Sequence, residues 1–357
     1  MGNFGDTVCI KKDNTLRLGF QNIGGFPSQC RKLKEDNIRL GIQKWDFDIF
    51  GMAETNLDWR VLKEHEKLPT RTKEWWDQQN VSWAHNRTLV PHQARQYGRN
   101  ALFSINKAAH QVIEKGFDLS LLGRWCWTRF KGKGNQTLRV IAYRPNPPQG
   151  PFTVYAQQNA YFHTINRDIG PRHAVLKDLE VAIKTFLDAG DHIMVMLDGI
   201  SNMRKGDLFN SFTQLSLMEV IIDQHGNSGP ATHKRNSTST PIDGIWLSPG
   251  LSIERGGYFE YNEVIPLDRR CLWVEMSYMV AFGHTMPPLG IRTPRRLHCR
   301  DPRLIENYVH LFHQFARPLD LFKRVKNLDK QYRNMSKTEA ILEYEDRASS
   351  ILPRIEC

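Results

Sequence analysis

The stretch His192-Ile193-Met194-Val195-Met196-Leu197-Asp198-Gly199-Ile200 decides the fold. Its apolar centre is too short for a helix and is bounded by polar and turn residues, the pattern of a buried strand. Just upstream, Ala174–Leu187 places Val175, Leu176, Leu179, Ile183, Phe186 and Leu187 on one helical face, and Ala189-Gly190 ends it. A helix that feeds a buried strand argues for an α/β core. The strand-like run ends on a carboxylate, Asp198. Four other runs end on a carboxylate or an amide: Leu16–Asn22, Phe47–Glu54, Pro241–Asp243 and Val264–Asp268. Ligands of open α/β folds sit at strand ends. Acidic tips that converge would form a cage for a hard divalent cation.

Outward from there, about 280 residues alternate strand-like and helix-like patterns. Arg31–Lys44 reads as a helix after the strand at Leu16–Asn22, and Trp75 and Trp76 are expected on a helix before the strand Val81–Ala84. Further strands are expected at Ala101–Ile105, Trp125–Phe130, Leu138–Tyr143, Ile242–Leu247 and Cys271–Met276, with Leu208–Leu217 helical. Lys131–Asn135 is a hairpin turn, so the sheet is expected to be mixed. Composition changes near Gly283. The expected organisation is a main domain at 1–283, a Pro/Arg-rich linker at 284–300 and a basic helical extension at 301–357, with helices at Asp301–Phe315, Leu319–Tyr332 and Lys337–Ser349.

The chain has 357 residues, 40% hydrophobic and 24% charged, ordinary for a globular protein. A net charge of +11 points to a polyanionic partner, nucleic acid or an anionic surface. The bias is shared: from Thr285 onward there are 14 Lys/Arg against 9 Asp/Glu. No apolar stretch is long enough to span a bilayer, and no membrane partner is expected. The six cysteines are scattered without a C-x-x-C pair, which argues against structural zinc and for reduced thiols inside the cell. The histidines show no metal spacing, and His192 and His233 are expected to be structural or superficial.

In chain order the polar strand ends are Asn22, Glu54, Tyr143 with Asn146, Asp198, Asp243 and Asp268. Any one of them alone reads as a turn or cap residue; the ordered set carries the weight. Over Leu16–Glu275 the chain resembles the endonuclease/exonuclease/phosphatase superfamily, the Mg²⁺-dependent phosphodiesterases related to DNase I and the apurinic endonucleases. Gln21-Asn22 fits its first motif, Ala53-Glu54-Thr55 its metal glutamate, Tyr143-Arg144-Pro145-Asn146 its Tyr-x-Pro-Asn motif, and Pro241-Ile242-Asp243 its Pro-Ile-Asp motif. The phrase Ala231-Thr232-His233-Lys234-Arg235, and Leu272-Trp273, look most like the nuclease domain of non-LTR retrotransposons.

The resemblance implies a four-layer α/β/β/α sandwich, two packed mixed sheets flanked by helices, with a C-terminal helical extension. It implies that Glu54 holds Mg²⁺ (or Mn²⁺) with Asn22 and Asp268. Asp198 would orient or deprotonate the attacking water, Tyr143 and Asn146 would bond the phosphate, and Asp243 would fix a catalytic histidine or the metal shell. Arg144, Lys234, Arg235 and Arg270 would contact DNA, a reverse transcriptase would follow downstream, and the location would be nuclear.

Two positions depart from the pattern. Leu197-Asp198-Gly199-Ile200 stands for Gly-Asp-x-Asn, and Ile200 can donate no hydrogen bond. Leu267-Asp268-Arg269 stands for Ser-Asp-His, and Arg269 cannot act as a general base. Losing a catalytic donor costs roughly 10²–10³ in rate, and losing a general base roughly 10²–10⁴. Three readings follow: an impaired DNA endonuclease, a catalytically dead nucleic-acid-binding remnant, and a phosphatase acting on inositol phosphates or phospholipids.

Overall fold

The computed structural model describes residues 2–27, 32–57, 59, 62–88, 99–145, 150, 153–234, 240–285, 302–318 and 320–332. The strands of the first half are β1 (Phe4–Gly5), β2 (Thr15–Asn22), β3 (Ile49–Ala53), β4 (Gln79–Trp83), β5 (Asn100–Ile105) and β6 (Val112–Phe117). Then come β7 (Trp125–Lys131), β8 (Thr137–Tyr143), β9 (His192–Asp198), β10 (Met218–Glu219), β11 (Asp243–Leu247), β12 (Arg255–Tyr258) and β13 (Leu272–Ser277). One sheet runs β1-β12-β13-β2-β3-β5-β4 and the other β10-β11-β9-β8-β7-β6. Each has one parallel pair near its middle, β2 with β3 and β8 with β9, and antiparallel neighbours around it. Both sheets are therefore mixed.

The inner faces meet in one core. Leu16, Leu18 and Phe20 of β2 pack with Leu138, Val140 and Ala142 of β8 and with Met194 and Met196 of β9. The outer faces are covered as well. Phe50 and Met52 of β3 meet Ile38 and Ile42 of the helix Lys32–Lys44. Ile193, Val195 and Leu197 of β9 meet Val175, Leu179 and Ile183 of the helix Pro171–Asp188. Strands buried on both faces read as unbroken apolar runs, which is why β2, β3 and β9 show so plainly in the sequence. Each such side chain contributes about 1.5–3 kcal/mol by burial. The result is helix, sheet, sheet, helix, the four-layer sandwich.

Several expectations change. Trp75 and Trp76 lie in the turn after a short helix, Leu68–Arg71, where Trp75 stacks on Phe103. Val264–Asp268 is not a strand: the segment is bent, and Val264 and Ile265 reach the outer core from a loop. Asp243 begins its strand instead of ending one. The hairpin at Lys131–Asn135 joins β7 to β8 with Lys131 opposite Thr137. The chain divides into two compact units, residues 1–287 and 288–357. Within the second, helices span Pro302–Ala316 and Leu321–Tyr332; the expected helix Lys337–Ser349 and most of the linker lie outside the described residues. Among the described residues no helix is long and apolar enough to cross a membrane, and Cys9, Cys126 and Cys271 are free thiols.

Candidate active site

Topology gathers the polar strand ends. The parallel pairs finish together: Asn22 is opposite Ala53, so Glu54 follows at the same edge, and Tyr143 is opposite Leu197, so Arg144 and Asp198 follow. Strands antiparallel to these begin there. Asp243 opens β11 opposite Asp198, and Arg269 lies just before β13. The loops after β2 and β3 are tied to each other: Ile23 N donates to Ala53 O, Gly25 N to Glu54 O and Phe26 N to Thr55 O, at 3.0, 2.7 and 2.7 Å. Glu54 is held there at φ +57, a conformation few non-glycine residues adopt.

At the centre, Asn22 Nδ2 donates to Glu54 Oε1 (2.7 Å) and to Asp198 Oδ2 (2.6 Å), while Asn22 Oδ1 accepts from Gly24 N (2.9 Å). Arg144 bridges the same two acids, with Nη2 2.6 Å from Glu54 Oε1 and Nε 3.1 Å from Asp198 Oδ2. Arg269 Nη1 lies 3.5 Å from Asp198 Oδ1 and 3.6 Å from Asp243 Oδ2. Two arginines thus stand among three carboxylates. Burial pushes the Asp198 carboxyl up, but the Arg144 and Arg269 charges and the Asn22 amide outweigh it and hold it below the ordinary range. Asp243 goes the other way: burial and the neighbouring Asp198 charge push it up to about 7.

Other expected site residues are placed elsewhere. The Tyr143 ring is buried, and burial raises its phenol. Tyr143 lines a cavity of about 250 Å³ with Pro145, Arg172, His173 and Ile200. Ile200 itself sits at φ +54. Such a backbone suits Gly or Asn and strains a β-branched residue. Asp268 pairs with His233, Nε2 to Oδ2 3.5 Å, and His233 bridges across to Arg269. His233 is therefore held in the frame beside the site, the structural one of its two expected roles. Burial and Arg269 lower its pKa against the pull of Asp268.

Two assignments to nucleic-acid contact are corrected. Arg270 is buried, with Nη1 on the carbonyls of Gly2 (3.2 Å) and Phe259 (3.0 Å) and its guanidinium over Tyr261. Arg144 is turned into the acids instead of outward. Lys234 is exposed, its backbone N donating to Asp268 O. Asn146 and Arg235 lie outside the described residues.

This arrangement does not fit a divalent cation. Magnesium needs about six oxygens in an octahedron at roughly 2.0–2.1 Å. Here Asn22 turns its NH₂, a donor, toward both acids, and the inward oxygens of Glu54 and Asp198 already accept from it and from Arg144. Arginine cannot shed its charge, and at 4 Å it would repel a divalent ion by roughly 8 kcal/mol at an effective dielectric of 20. Among the described residues no group of three or more His, Cys, Asp or Glu is disposed to hold a metal.

No family model and no curated protein matches the sequence. Solved structures do. An AP endonuclease from Leishmania major is 10% identical, with a TM-score of 0.53 over 74% of this chain and 88% of that one. An AP endonuclease from Archaeoglobus fulgidus is 12% identical (TM-score 0.49, 72% and 98% covered). A 3′ phosphatase from Neisseria, bound to product DNA hairpin, is 13% identical (TM-score 0.47, 72% and 98% covered). The chain has the DNase I-like α/β sandwich, and its structural neighbours are nucleases and phosphatases.

Proposed function

We propose that this chain is the nuclease domain of a retrotransposon-type element that has kept nucleic-acid binding and lost efficient phosphodiester hydrolysis. The ancestral activity is Mg²⁺-dependent (or Mn²⁺-dependent) nicking of DNA in the nucleus, beside a reverse transcriptase encoded downstream. The observation that carries this is Arg269, placed between Asp198 and Asp243. Hydrolysis needs a neutralised phosphoryl group, an activated water and a proton for the leaving oxygen. Arg269 can supply the first by binding phosphate oxygens and cannot perform the second. Asp198, with both oxygens occupied by Asn22, Arg144 and Arg269, is a poor base.

The backbone at Ile200 supports the same history. Its left-handed conformation suits the asparagine that the family motif has there, although the side chain is now isoleucine. The net charge of +11 together with the phrase Thr232-His233-Lys234-Arg235 favours DNA over a phosphoinositide or phospholipid substrate. Supercoiled plasmid tests the proposal. The protein should retard DNA in EDTA, with affinity that falls steeply with salt, and should leave it unnicked with magnesium. Nicking that Glu54→Ala abolishes would overturn the reading.

A further inference from the structure

The misfit between the acids and a divalent ion has a specific cause. We infer that Arg144 is a built-in cation occupying the position of the metal, so that the cluster of Asn22, Glu54 and Asp198 binds no divalent ion until Arg144 is removed. The inference rests on the reading of the cluster as an inherited metal–phosphate site.

The geometry argues it directly. Arg144 spans the two acids that come from different sheets, Glu54 after β3 and Asp198 at the end of β9. A bridging ion would do the same. It reaches them with two different nitrogens, and its side chain is only 9% exposed. Asn22 completes the adjustment. Its oxygen is taken by Gly24 N and its nitrogen faces the acids, an orientation that suits anions without an ion between them. Arg144 follows directly on β8, so its guanidinium enters the cluster from the end of that strand. Arg269 meets the other oxygen of Asp198 at the longer distance of 3.5 Å and lies 3.6 Å from Asp243, the acid that Arg144 does not touch.

The test uses Mn²⁺ as an EPR-visible probe, with Mg²⁺ as competitor, on the full chain. Wild type should leave the free Mn²⁺ signal unchanged. Arg144→Ala, and the closer match Arg144→Gln should the first fail to fold, should each bind one equivalent at least about tenfold more tightly than wild type, because affinity at such sites follows ligand charge. Adding Glu54→Gln to either should abolish the gain, which places the ion in this cluster. Glu54-dependent Mn²⁺ binding by wild type would overturn the inference. So would folded Arg144 variants that bind no better than wild type. DNA retardation by wild type in EDTA reports separately on the proposed function. A metal gained without DNA binding sinks that function and leaves this inference standing, and the reverse result sinks only this one.

Discussion

Two of the arginine–carboxylate networks in this sandwich differ in balance. The first ties the loop after β6 to the helix Pro171–Asp188. Arg124 grips Asp118 at 2.5 and 2.9 Å and reaches Asp178 at 2.8 Å, while Arg167 holds Asp178 at 2.9 and 2.6 Å. Two arginines meet two aspartates. The second network is the candidate site, where two arginines meet Glu54, Asp198 and Asp243. One negative charge is in surplus, and Asp243 absorbs it by holding its proton up to about pH 7. Matched pairs at hydrogen-bond distance describe a structural clamp. An acid surplus with one loosely held arginine describes a site whose charges are not matched within the fold.

The largest effect should come from breaking the clamp. Arg124 and Asp118 have side chains only 1% exposed, so Arg124→Ala strands a buried carboxylate and should cost about 3–5 kcal/mol in urea unfolding. Arg269→Ala should cost about 1 kcal/mol, because its contacts are long, at 3.5 and 3.6 Å, and Asp243 can protonate in response. Equal losses would erase the distinction between the networks.

The pH dependence should separate them next. Asp243 has a raised folded pKa, so it binds more protons folded than unfolded. Its contribution is fully present below the ordinary aspartate range and is lost as pH rises through about 7. Buried Glu219, also pushed to about 7, and Asp48, pushed to about 6, add in the same direction. Asp178 is opposite: burial raises its carboxyl, but Arg167 and Arg124 outweigh it, so its contribution is present at neutral pH and lost in acid. Melting temperature should therefore decline between pH 5 and 8, and Asp243→Asn should flatten part of that decline, worth about 2–3 kcal/mol. An unchanged slope in the variant would remove Asp243 as its source.

The smallest effect concerns Ile200. Ile200→Asn should stabilise by about 1 kcal/mol, by relieving a β-branched residue held at positive φ. Destabilisation would mean that its packing in the cavity beside Tyr143 outweighs the strain.

The sandwich was legible wherever strands are buried on both sides. β9 and β2 stand out because inner and outer faces both demand apolar residues. β6 was not legible: it is an edge strand whose Glu114 and Lys115 face solvent, so no apolar rhythm marks it. Val264–Asp268 misled because a loop can insert Val264 and Ile265 into a core as well as a strand can. At the site, Asn22, Glu54, Asp198 and Asp243 were visible as strand ends. Arg144 was visible only as the variable letter of a motif. Its partners are distant in sequence, and nothing local says that its side chain turns inward. Arg270 misled in the opposite way, since a charged residue among arginines gives no sign that its partners are buried carbonyls.

The arginine bridge bears on how the site tolerates substitution. A variant with histidine at position 269 alone would leave Glu54, Asp198 and Asp243 facing one guanidinium. One that lost Arg144 alone would leave Arg269 as their only arginine. Either change removes a positive charge that the acids share, and a double-mutant cycle between the two positions should show it as non-additivity. The charge balance of this site is therefore shared between Arg144 and Arg269, and the effect of replacing one depends on whether the other is present.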